Sequence, residues 1–81
     1  MNLLNQIKAI KEKLINSGYS TVADNILDYQ LSGGTPGEVF AGVSFYLNEL
    51  KNKNKDVYSV ISKEADEIIS YAKSLNYIQK E

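Results

Sequence analysis

Apolar residues recur at helical spacing in four separate stretches of the chain. Leu3, Ile7, Ile10 and Leu14 follow a 4-3-4 spacing that keeps them within about 60° on one helical face. They predict a first helix from about Asn2 to Asn16, ended by Asn16-Ser17-Gly18 with Gly18 just past the last turn. Lys8, Lys11, Glu12 and Lys13 fall outside that face. Val22, Ile26 and Tyr29, flanked by Ala23 and Leu27, predict a second helix from about Thr21 to Leu31. Ser20 or Thr21 would be its N-cap, and Thr21-Val22-Ala23-Asp24 approximates a capping box. Asp24 and Asp28 are four residues apart and stack on the opposite, solvent side. Val39, Phe40, Val43, Tyr46, Leu47 and Leu50 spread over an arc of roughly 120° on a third helix, about Pro36 to Lys51. Ala41, Gly42 and Phe45 lie behind that arc. A fourth helix, about Asp56 to Tyr77 and capped by Asp56 or Asn54, carries the stripe Val57, Ile61, Ile68, Ala72 and Leu75. Val60, Ala65, Ile69 and Tyr71 flank that stripe, and Tyr77 to Glu81 are expected to fray. Glu64 projects onto its edge, so either the helix is interrupted near Ser62 or Glu64 bends out to water.

Ser32 to Lys51 organises the rest. It holds four of the five glycines, the single proline and both phenylalanines. Thr35-Pro36-Gly37-Glu38 reads as a capping box, with Pro36 at the first helical position, where its missing donor costs nothing. Gly33-Gly34 ahead of it can end the preceding helix and let the chain reverse. Gly42 costs about 1 kcal/mol of helix propensity in mid-helix, and its missing side chain would let another helix approach. Short connections favour antiparallel neighbours, so the expected fold is all-α, a compact four-helix bundle of unequal helices in a single domain over residues 1–81.

Composition narrows the chemistry. A chain of 81 residues buries only about 60–65% of its unfolded surface, so a partner or a dimer could matter to it. It has no cysteine and no histidine, and all nine basic residues are lysines. Thiolate chemistry, the commonest general base and the bidentate guanidinium fork are thereby removed. Charge is distributed in blocks. The first 19 residues are net basic through Lys8, Lys11 and Lys13 against Glu12. Residues 20–50 hold Asp24, Asp28, Glu38 and Glu49 without a base. Lys51, Lys53 and Lys55 follow, and the remainder is again acidic. The longest uncharged apolar run, Val39 to Leu47, is far short of the ~20 residues a bilayer needs, so no membrane contact and a cytoplasmic location are expected.

The motifs that could carry chemistry each lack a required part. Ser32 to Glu38 is glycine-rich and opens a helix, but no lysine follows the glycines and Glu38 would repel a phosphate. Asn52-x-Asn54-x-Asp56 echoes the start of a Ca²⁺ loop, but Val57 stands where glycine is needed and Lys63 where a bidentate Glu is needed. Asp24 with Asp28, and Glu64 with Glu67, are carboxylate pairs on solvated faces, without the pocket that separates two pKa values. No enzyme activity, metal, cofactor or small-molecule substrate is therefore expected. Three lysines on one loop beside an acidic block give no nucleic-acid patch. Tyrosine, present six times, supplies rigid area with a polar tip at interfaces, and Tyr29 beside the acidic face is the one best placed for contact.

Leu31-Ser32-Gly33-Gly34-Thr35 through Glu38, followed by Val39, Val43, Tyr46 and Leu50, resembles a set of small uncharacterised bacterial helical proteins. Those join two N-terminal helices through a Gly-Gly-Ser/Thr turn to an acidic residue and a long apolar helix. The likeness spans roughly residues 20 to 51, and Pro36-Gly37 departs from the pattern in the turn. It implies the helical fold, a bacterial or phage origin and a toxin-neutralising role, and it brings no catalytic residues. The expected function is binding another protein, as an inhibitor or immunity-type protein whose acidic face meets a basic partner through Asp24, Asp28, Tyr29 and Phe45. The alternative is a structural module that homodimerises through the back of the third helix, with Phe45 exposed in the monomer.

Overall fold

A computed structural model describes residues 2–76. It is all-α: α1 spans Leu3–Asn16, α2 Ser20–Ser32, α3 Pro36–Lys53 and α4 Lys55–Ser74. Each helix packs on its chain neighbour, and α4 closes the ring against α1, so the four form an antiparallel bundle of unequal lengths.

The caps explain the boundaries. Asn2 opens α1 by accepting the Asn5 N–H at 3.1 Å. Its end is a Schellman turn: Tyr19 N–H reaches the Leu14 carbonyl at 2.8 Å and Gly18 N–H the Ile15 carbonyl at 3.2 Å. Gly18 sits at φ +87°, a conformation that side chains resist, which is why glycine stands there. That closure corrects the expected start of α2. Tyr19 takes the N-cap position with no side-chain bond, and its carbonyl already accepts from Val22 and Ala23. The helix therefore begins before Thr21, and the Thr21–Asp24 box does not form.

At α3, Thr35 accepts the Glu38 N–H at 3.2 Å. The Thr35 hydroxyl then donates to the Glu38 carboxylate at 3.3 Å, so the return bond to the backbone is not made and the box is half-formed. Gly33 is extended, at φ −77° and ψ 129°. Its glycine serves close approach, because a Cβ there would lie 2.6 Å from Val39 Cγ2 and 2.8 Å from Val39 N. Asn54 closes α3 by donating its N–H to Leu50 at 2.8 Å and caps α4 by accepting from Val57 at 3.4 Å. The helix α4 stops at Ser74, short of the expected end. Asn76 holds φ +62°, a left-handed residue past the C-cap. Tyr77 to Glu81, expected to fray, lie outside the described residues.

The core follows the four stripes. Ile7, Ile10 and Leu14 of α1 meet Ile26 of α2, Val43 and Leu47 of α3, and Ile61 and Ile68 of α4, all with no exposed surface. Three details differ from expectation. Leu27, Tyr71 and Leu75 are exposed, because α2 turns Ala23 and Ile26 inward and Leu75 caps α4 instead of continuing it. Ser44 is fully buried beside the α3 stripe and its hydroxyl has no hydrogen-bond partner among the described residues. Finally, α4 runs unbroken through Ser62, and Glu64 does not bend out to water. Its side chain is only 12% exposed, and Lys13 of α1 holds it at 2.6 Å. Burial pushes the Glu64 carboxyl up, but the hydrogen bond and positive charge of Lys13 outweigh that and hold it below its ordinary value.

Candidate interaction surface

The acids of this bundle divide into those engaged within the fold and those that are not. On α4, Glu64 pairs with Lys13, and Glu67 accepts from the Gln6 amide. Asp66 accepts from the buried Tyr58 hydroxyl and, at 3.4 Å, from Lys51. Those donors hold the Asp66 carboxyl below its ordinary value, with the Tyr58 bond the largest cause. Burial, and then Asp66 itself, push the Tyr58 phenol far up. On α3, Glu49 pairs with Lys53 at 2.9 Å, and Glu38 accepts from Thr35. Two of the three clustered lysines, Lys51 and Lys53, thus pair with acids at the surface.

On α2, Asp24 and Asp28 are exposed and make no ion pair or hydrogen bond with any described residue. They flank Leu27 and Leu31, which are also exposed. At 100° per residue Asp24, Leu27, Asp28 and Leu31 form one continuous outward stripe, an acidic rim around two leucines.

Tyr29 stands apart from that stripe. It is half-buried, stacked on Tyr46 with ring centroids 5.3 Å apart, and it covers Gly42, where an added Cβ would meet its ring at 3.0 Å. Gly42 does admit a close neighbour, and that neighbour is α2. Asn25 donates to the Tyr46 hydroxyl at 3.0 Å and completes the α2–α3 contact. Phe45 projects from the outer side of α3, 50% exposed, while Ala41 and Gly42 beside it are only partly so. Asp24 and Asp28 therefore share one face, Phe45 lies on the outward face of the next helix, and Tyr29 lies in the seam between them.

An open apolar groove of about 710 Å³ lies where the N-terminal turn of α1 meets the α2–α3 turn, lined by Leu3, Leu4, Gly33, Gly34, Pro36 and Val39. The polar side chains at its edge, Asn2 and Thr35, are already occupied as helix caps. No group of three or more potential metal-ligating side chains occurs among the described residues, and no helix there is long and apolar enough to cross a membrane. What the surface offers is area, apolar side chains and uncommitted charge. Compared with protein-family models, with curated proteins and with solved structures, the chain matches none.

Proposed function

We propose that this protein is a non-enzymatic protein-binding module whose outward α2 face, Asp24 and Asp28 around Leu27 and Leu31, meets a basic partner in the manner of an inhibitor or immunity-type protein. The observation that carries the reading is the contrast among carboxylates. Glu38, Glu49, Glu64, Asp66 and Glu67 of α3 and α4 are held by donors within the fold, Asp56 in the first turn of α4 is not, and the α2 pair has no donor among the described residues. Two like charges one turn apart cost a helix a few tenths of a kcal/mol when nothing offsets them. A basic partner would offset that repulsion and gain in association rate through complementary charge. A chain without histidine, cysteine or arginine supports binding over chemistry.

The test compares wild type with Asp24→Asn/Asp28→Asn. Thermal stability should stay the same or rise slightly. Capture at low salt should retain a basic protein on wild type and lose it on the double variant, with a slower on-rate and a flatter salt dependence. A captured partner indifferent to both mutations and to ionic strength overturns the reading.

A further inference from the structure

Among the described residues seven large apolar side chains remain exposed, and four of them belong to α1 and α2: Leu4 at 69%, Ile15 at 56%, Leu27 at 40% and Leu31 at 75%. Their helical angles place them together. On α1, Leu4, Lys8, Lys11 and Ile15 fall within about 60° of one another, on the side that faces away from α4. Lys11 confirms that this side borders α2, since its amine reaches the Gln30 amide oxygen at 2.8 Å. On α2, Leu27 and Leu31 point the same way and Asp24 and Asp28 form the rim. The outer α1–α2 layer is therefore one surface, half leucine and lysine, half leucine and aspartate.

We infer that the occupant of this surface is a second copy of the chain, related by a two-fold axis parallel to the helices. This rests on the proposal that the α2 face is a contact face, and it replaces the basic protein partner with a second copy whose α1 supplies the lysine. The symmetry can be worked through. A two-fold axis in the plane of the surface, running along the helices, sets α1 of one copy over α2 of the other, antiparallel. An axis across the helices would instead set α1 on α1 and α2 on α2, bringing the like-charged Asp24 and Asp28 against their own copies. The first arrangement sets Lys8 of α1 against Asp28 of α2, and it makes each contact twice.

The register matches as well. The turn at Gly18 makes α1 and α2 a hairpin, so residues equally far from it lie at the same level. Lys8 and Asp28 are each ten residues from Gly18, and Leu4 and Leu31 lie fourteen before it and thirteen after. Rotation about an axis along the helices preserves level. It therefore lays Leu4 over the partner's Leu31, and Lys8 beside the partner's Leu27 with its amine reaching Asp28 on the rim. Lys8 is free for this, having no ion pair or hydrogen bond with any described residue. Glu12 is the one discordant charge, level with Asp24.

Sedimentation equilibrium over a concentration series at low salt should show a monomer–dimer equilibrium that weakens with added salt. Leu4→Ser with Leu31→Ser should weaken it at least tenfold. Lys8→Glu and Asp28→Lys should each weaken it by about tenfold, because an exposed pair worth a few-fold is lost twice in a symmetric dimer. Combined in one chain, those two should restore the dimer, and Glu12→Lys should tighten it. Phe45→Ser should leave it unchanged. Circular dichroism on each variant separates lost association from lost fold. A dimer dissolved by Phe45→Ser but not by the leucine variants, or no rescue in the double charge swap, overturns the proposal. A chain that stays monomeric throughout also overturns it. In that case polylysine binding by wild type but not by Asp24→Asn/Asp28→Asn would still support the acidic contact face, and its absence would remove both readings.

Discussion

Gly33 and Gly34 are adjacent, and alanine at the two positions should change stability in opposite directions. At Gly33 the new Cβ would stand 2.6 Å from Val39 Cγ2, 2.8 Å from Val39 N and 3.0 Å from Val39 Cα. Two of those atoms are backbone of the first turn of α3, so no rotamer change relieves the contact. The α2–α3 turn itself has to open. Overpacking of this kind costs about 1–3 kcal/mol, and the reduced freedom of the unfolded chain returns about 0.4–1 kcal/mol. At Gly34 the nearest atoms are those of the Glu38 carboxylate, the closest at 3.6 Å, which is ordinary contact, and the backbone is not in the left-handed region. There the entropy gain stands alone.

Gly33→Ala should therefore lose about 1–2 kcal/mol and Gly34→Ala gain about half to one, a separation near 2 kcal/mol. In a domain of this size 1 kcal/mol moves the melting temperature by about 4–8 °C, so the two variants should melt about 10 °C apart. Urea titrations with equal m-values would assign the difference to the folded state and not to a changed denatured ensemble. Equal melting temperatures, or a more stable Gly33→Ala, would refute the close approach of Gly33 to α3.

Thr35→Ala should cost about 1 kcal/mol by removing the acceptor for the Glu38 N–H, read as a shifted urea midpoint. Phe45→Ser should stay within about 1 kcal/mol of wild type, since half of that side chain is already in water; a loss near 3 kcal/mol would place it in the core. Glu64 titrates below the ordinary carboxyl range in the folded protein, so the stability it contributes is present above its unfolded value and drains away as pH falls through the folded one. Glu64→Gln should flatten this acid limb of a stability–pH curve, and an unchanged limb would show that the Lys13 pair does not govern it.

How much was legible depended on whether the deciding contact was local. The four helices, the Gly18 stop, and the caps at Thr35 and Asn54 depend on residues within a few positions of one another, and periodicity finds those. The start of α2 was missed because Tyr19 is claimed from the other side, by the Leu14 carbonyl, before any Thr21 cap can act. Ser44 was missed because burial extends past the apolar arc on α3, where a small hydroxyl fits without being an apolar signal. Tyr58 is buried with its hydroxyl on Asp66, two turns along the same helix, and a stripe drawn from aliphatic residues passes it by. On the interaction surface, the outward placement of Asp24, Asp28 and Phe45 was readable from helix angles. The inward seat of Tyr29 was not, because it depends on Gly42 of another helix leaving room for the ring.

Glu64 shows why counting charge in blocks is an incomplete guide to which charges remain available. The chain reads as a basic first helix, an acidic middle and a mixed end, and the sequence does not say where each lysine goes. Because α4 returns to pack on α1, Lys13 is drawn to Glu64, fifty-one residues away, and Gln6 to Glu67. Because α2 lies on the other side of α1, Lys11 turns to Gln30. Of the three lysines on α1, Lys8 alone keeps its amine uncommitted among the described residues. It lies level with Asp28, on the helix beside the two aspartates that are also uncommitted. The side chains of Lys55, Asp56, Lys63 and Lys73 on α4 are likewise without an ion pair or hydrogen bond among the described residues, but the outer α1–α2 layer joins such charges to four of the exposed aliphatic side chains. A surface with leftover charges of both signs and leftover apolar area is complemented by its own two-fold image, which supplies lysine for Asp28 and leucine for leucine at once and leaves Glu12 against Asp24 as the opposing contact.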